Sequence, residues 1–117
     1  KVKGTISVIA STVIKNTSNN KENKIHAYHI QLPKLSGRFT GCGDLFMACL
    51  LGNMHRHSND FPTAFEHSCA SVHSILHRTA KHKIDGELRL VQSRDDIVRP
   101  EVRFPAEAFP TETSPIT

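Results

Sequence analysis

The 117-residue sequence has no tryptophan and one tyrosine, and aromatic residues make up only 6% of it. Its 15 lysines and arginines are scattered, with no run of five or more. A surface for nucleic acid clusters its cations and interleaves aromatic platforms, so these two shortages argue against a nucleic-acid partner. The three cysteines, Cys42, Cys49 and Cys69, are odd in number and not closely spaced, which argues against a disulfide framework. A reducing, cytoplasmic setting is expected. No apolar run is long enough to span a membrane. The partly apolar start, KVKGTISVIASTVI, lacks the layout of a secretory signal, and no membrane partner is expected. The first residue is not Met, and a strand-like pattern begins almost at once, so a fragment missing its N-terminal portion is expected. No internal repeat is present.

What remains suits one soluble domain or part of one: 38% apolar, 22% charged. The net charge of +4 is compatible with an anionic ligand such as a nucleotide. Residues 4–10, GTISVIA, read as a buried strand. Residues 16–24 read as a polar surface loop, with an N-x-S match at Asn16 taken as chance. Residues 25–32, IHAYHIQL, predict a second strand that Pro33 ends. Residues 45–57, LFMACLLGNMHRH, predict a helix that is apolar on every face of its first turns and therefore buried. Asp60 is a cap residue with Pro62 in the first turn behind it. Phe61, Phe65, Cys69, Val72, Ile75 and Leu76 then form one face of a second helix running to about residue 82. Residues 87–97 start strand-like and pass to another cap at Ser93. From Pro100 onward four prolines mark a tail or edge segment rather than a packed element.

The stretch GRFTGCGDLFMACLL, residues 37–51, carries the densest chemistry. Gly41, Cys42 and Gly43 let the backbone turn and approach a ligand closely, and they lead into a helix whose first N–H groups lack partners. Such donors and the helix dipole attract an anion. Asp44 at the edge of this site has two readings: the cap of the helix, or a base accepting a proton from an attacking hydroxyl. Residue types alone leave both open. The pattern is neither a Walker A loop nor a dinucleotide-binding G-x-G-x-x-G. His73 and His77 share a helix face, but no Glu intervenes and no Cys/His pair completes a tetrahedral zinc set. No His or Asn partner can be placed for a catalytic Cys42.

The same stretch resembles the signature of pyridoxal kinases, in the ribokinase-like superfamily, whose usual form is Thr-Gly-Thr-Gly-Asp-Leu-Phe before an apolar helix. SVHSILHRTAK resembles the family's next helix, ELRLVQSRDDIVRPEVRF its C-terminal segment, and SVIASTVI the strand and Ser/Thr turn before the motif. The resemblance implies an α/β fold: the C-terminal part of a ribokinase-like (Rossmann-like) three-layer architecture, with an incomplete sheet and two main helices. Residues 1–98 would be the nucleotide-binding and catalytic part, and 99–117 a Pro-rich tail or edge. It implies ATP-dependent phosphorylation of the 5′-hydroxyl of pyridoxal, pyridoxine or pyridoxamine in vitamin B6 salvage. Asp44 would be the base and Gly41, Cys42 and Gly43 the anion hole. Ser11 would lie near the nucleotide phosphates, and Phe39 and Leu76 would wall the adenine and ribose. ATP would be accompanied by Mg²⁺ and often K⁺, and the enzyme would be a homodimer. Cys42 replaces the usual Thr, which keeps the backbone N–H and loses a hydroxyl. Ala10 stands where a hydroxyl residue is common. The family is more than twice this length, so the chain alone is expected neither to fold robustly nor to turn over. The alternative is a non-catalytic, truncated or diverged product that binds nucleotide weakly or pairs with a full-length subunit.

Overall fold

A computed structural model describes residues 4–14, 24–35, 37, 39–82 and 87–109. The polar loop expected over 16–24 and the sequon at Asn16 fall almost wholly outside these residues. Strands β1 (Thr5–Ile14) and β2 (Lys24–Pro33) pair antiparallel, with Val8 opposite Ile30 and Ala10 opposite Tyr28. A two-residue strand β3 (Glu107–Ala108) pairs with the other edge of β2, giving the order β1-β2-β3. Helix α1 spans Cys42–Arg56 and α2 Phe61–His82. A 3₁₀ turn, Val91–Ser93, leads into the short α3, Arg94–Val98. Pro33 closes β2, as expected of a residue that cannot extend the ladder.

Side chains alternate across a strand, so Val8, Ala10, Tyr28, Ile30 and Leu32 share the sheet face that meets the helices. There they pack around Phe65 and Cys69, together with Phe46, Phe61, Phe104 and Ala106. The other face is bare. Ile9 is 63% exposed, and Val13 and Ile25 are exposed on the same side. This corrects the expectation of a buried β1: the apolar run is continuous, but β1 is an edge strand covered on one side only. The structure is thus a partial α/β fold, a small antiparallel sheet with helices on one face.

The two main helices form as expected, with one correction to α1. Its buried positions are Cys49 and Asn53 alone, four apart on one stripe facing α2. Met47 (63%) and Leu51 (74%) lie in the open. A helix apolar all round needs partners on every side, and here α2 supplies only one. Asn53 Nδ2 donates to Ser68 Oγ at 3.0 Å across that contact, and Ser68 Oγ donates to the Ala64 carbonyl at 2.7 Å, so the buried polar atoms pair. Asp60 caps α2: its carboxylate accepts from Thr63 N–H at 3.4 Å and Thr63 Oγ1 at 2.7 Å. The predicted face of α2 is inward, with Phe65, Cys69, Val72 and Ile75 buried.

Past α2 the sequence expectations hold less well. The strand-like start at 87 is a single parallel bridge between Glu87 and Thr40. Ser93 precedes α3, yet it makes no side-chain cap bond, and its buried Oγ has no partner among the described residues. Helix α3 is instead held from outside: Ser71 Oγ donates to the Asp96 carbonyl at 2.7 Å and Arg56 to the Val98 carbonyl at 3.0 Å. Residues 101–109 form the edge segment expected there, at β3, but against expectation part of this stretch also packs. Phe104 and Ala106 join the core, Ala106 N–H donates to Glu66 Oε2 at 2.7 Å, and Phe109 N–H donates to the Ala27 carbonyl at 2.9 Å.

Candidate functional site

The glycine motif sits where the chain turns from the Thr40–Glu87 bridge into α1. Gly41 has φ 86° and ψ 11°, the left-handed region. A side chain there would be strained, although the space is adequate: a Cβ would meet Leu88 Cδ1 at 3.8 Å. Gly41 is the N-cap, and Leu45 N–H donates to its carbonyl at 3.0 Å. The helix therefore starts at Cys42, three residues earlier than expected. The N–H groups of Cys42, Gly43 and Asp44 precede the first intrahelical bond and point out of the helix end.

This start removes the capping role for Asp44. It lies in the third helical position, exposed, and α1 has no side-chain cap hydrogen bond. Its negative charge sits in the first turn, where the helix dipole favours it, leaving the carboxylate open to a ligand. The Cys42 thiol donates toward the Phe39 carbonyl, 3.8 Å from Sγ. Phe39 is half-buried, with its ring beside Gly37: a Cβ on Gly37 would meet Phe39 Cζ at 3.6 Å.

Ser11 and Leu76 stand further off. Ser11, expected in a turn after the first strand, is in the middle of β1, exposed and opposite Ala27. β1 runs on to Ile14, because its β-branched residues continue past Ser11. Leu76 is half-buried on α2. No hydrogen bond among the described residues ties either residue to the motif. Conversely, Glu87 bridges to Thr40 and Leu88 stands beside Gly41, and the sequence carries only a strand-like pattern there. Three cavities, of about 650, 290 and 180 Å³, open on other parts of the surface, and none is lined by Gly41–Asp44. Among the described residues no group of three or more His, Cys, Asp or Glu could hold a metal ion. No helix of the described residues is long and apolar enough to cross a membrane.

The other titratable groups act in packing. Burial pushes the Cys49 thiol up, and that of Cys69 up to about 12, so neither is a nucleophile. Burial pushes His73 down first, helped by His77 and Arg103, while the Pro33 carbonyl opposes. Burial also lowers His67, followed by His57, with Glu66 and Asp60 opposing and Arg56 adding to the shift. Both histidines ionise more readily in the unfolded chain, where the ordinary value is 6.5. Below that value the unfolded state binds more protons, so stability is full above it and falls on acidification. The urea midpoint of the whole protein should therefore drop between about pH 7.5 and about pH 5.5, and His73→Gln should reduce that drop. A midpoint that rises on acidification would contradict the assignment.

No protein-family model matches the chain. It is 36% identical over 112 residues to the pyridoxal kinase of Dictyostelium discoideum, covering 87% of this chain and 36% of that one. The crystal structure of pyridoxal kinase from Trypanosoma brucei superposes with a TM-score of 0.67 at 26% identity, covering 88% of this chain and 34% of that one. Pyridoxal kinase from Leishmania donovani in complex with ADP and pyridoxamine has a TM-score of 0.69 at 21% identity, over 89% and 35% of the two chains; at that identity the likeness is one of fold. The chain spans between 26% and 36% of the length of the curated relatives it matches.

Proposed function

We propose that this chain, a homologue of pyridoxal kinases over about a third of their length, supplies the phosphoryl-transfer end of an ATP-dependent vitamin B6 kinase. The observation that carries the reading is the left-handed Gly41 followed by the free N–H end of α1, with the exposed Asp44 carboxylate in its first turn. Asp44 takes the proton of the vitamin's 5′-hydroxyl as that oxygen bonds to the γ-phosphorus of ATP, and the bond to the β-phosphate oxygen breaks to release ADP. The transferring group carries its charge on oxygens, and fixed donors aimed at them lower the barrier. The donors are the backbone N–H groups of Gly41, Cys42 and Gly43, and the early helix start adds that of Asp44. A thiol in place of a hydroxyl at Cys42 leaves this set intact. Ser11 would approach the nucleotide phosphates and Phe39 and Leu76 its adenine and ribose. Support for ATP as co-substrate comes from the ADP held by the Leishmania donovani relative.

The resemblance implies Mg²⁺ and K⁺ beside ATP, and the steps above use the chain's own groups. The motif lines none of the three cavities, and we place the vitamin pocket in the part of the relatives' length that this chain does not span. The bare faces of β1 and α1 are where such protein would dock. In this reading residues 1–98 form the nucleotide-binding part and 99–117 an edge segment, within a cytoplasmic homodimer. The test is formation of pyridoxal 5′-phosphate from ATP and pyridoxal. The full-length protein should form it, and the 117-residue chain alone should not. A full-length protein that consumes no ATP with any B6 vitamer would overturn the proposal in favour of a non-catalytic nucleotide binder.

A further inference from the structure

The phosphoryl transfer proposed above makes no use of the His73–His77 pair. The two rings stack with centroids 6.4 Å apart and border a groove of about 290 Å³ between α2, α3 and the segment before β3. Arg78, Lys81 and Arg103 line the same groove, and Asp96 is the one carboxylate in its lining. Arg78 pairs with Asp96 at 3.0 Å, and Arg103 with Glu101 at the rim at 3.1 Å. Lys81 has no ion-pair partner among the described residues. Three permanent cations and two imidazoles thus face two carboxylates.

We propose that this groove binds a compact dianionic oxyanion, such as the phosphate group of a small phosphorylated molecule, through Lys81, Arg103 and the His73–His77 pair. Its volume lies at the lower end for small-molecule sites, which suits a small ester rather than a polymer. It is separate from the glycine motif. His73, His77 and Lys81 form one stripe of α2, and Leu76 lies about 100° round the helix from the middle of that stripe. The lowering of His73 by His77 and Arg103 is a second sign that positive charge here is in excess. The groups facing His73 are His77, Arg78 and Lys81 on α2, Asp96 on α3, Arg103 with Glu101 before β3, the Phe104 ring 5.0 Å away and the Pro33 carbonyl of β2. Protonating His73 adds attraction for an anion, so affinity rises as pH falls, and a bound anion favours the protonated ring in return.

The test follows the His73 and His77 ring signals by NMR in the full chain during titration with sulfate. Sulfate stays a dianion throughout, so any pH dependence belongs to the protein. Saturable shifts are expected, with tighter binding at about pH 6 than at about pH 8. Lys81→Gln and Arg103→Gln should each weaken binding by about tenfold, the loss of one charged hydrogen bond. Both side chains are exposed, so these variants leave the packing alone. Inorganic phosphate and glycerol phosphate should bind likewise, and the tighter of the two identifies the source of the group. Shifts that do not saturate, that chloride reproduces at matched ionic strength, or that both variants retain would mean an adventitious ion only and overturn the proposal. None of these outcomes depends on kinase activity.

Discussion

Asp44→Ala in the full-length protein is expected to lower turnover by about 10²- to 10⁴-fold, the usual contribution of a positioned general base, with nucleotide affinity largely retained. The size of the effect separates chemistry from stability. A loss of that magnitude is about 2.7–5.5 kcal/mol of barrier. The carboxylate's other role here, a negative charge in the first turn of α1, contributes about 0.3–1 kcal/mol. Asp44 makes no cap bond and is exposed, so its removal leaves no buried group unpaired. Steady-state kinetics with ATP and pyridoxal, alongside a urea midpoint, read both quantities from one variant. Turnover that stays within a few-fold of the parent would remove Asp44 from the role of base. A midpoint loss large enough to explain the kinetic loss would make the residue structural. Asp44→Asn refines the test: it keeps the size of the side chain and removes the proton acceptor.

The parts of this molecule that are legible in its sequence are those with a local cause. The α2 face from Phe61 to Leu76 follows from helical periodicity, its cap from Asp60, and the end of β2 from Pro33. The glycine motif was equally plain, because Gly41 must adopt a conformation other residues avoid. Its helix start was misplaced, since a Cys-Gly pair looks like loop until the N–H ladder is seen to begin at Leu45. What the sequence hid was non-local. β1 and α1 have the composition of buried elements, yet their outer faces are open, because composition reports how many partners an element wants and not whether one chain provides them. The packing of Phe104 and Ala106 and the β3 pairing depend on contacts some 40 to 80 residues away, such as Glu66 with Ala106 and Ala27 with Phe109. Prolines at 100, 105 and 110 mark that segment as irregular and are silent on what it touches.

The largest expected effect on stability lies at Phe65. It is fully buried, stacks on Phe61 at 6.1 Å, meets Phe46 edge-on at 6.5 Å, and joins Ile30 and Cys69 at the centre of the core. Phe65→Ala removes a ring that the sheet and both main helices share, and the loss of transfer energy plus cavity costs about 3–5 kcal/mol. Against a total of about 5–15 kcal/mol for a native protein, that is enough to unfold a marginal one, so the urea midpoint of the whole protein should fall steeply. Leu51→Ala gives the contrast. At 74% exposed in this chain, Leu51 should matter by no more than about 0.5 kcal/mol if its face of α1 stays open. If protein beyond this chain closes over α1, the same change in the whole protein costs about 2–5 kcal/mol, and its ratio to the Phe65 effect measures how far that face is covered. A Phe65→Ala midpoint equal to that of the parent would mean that the core is not centred on α2 and β2.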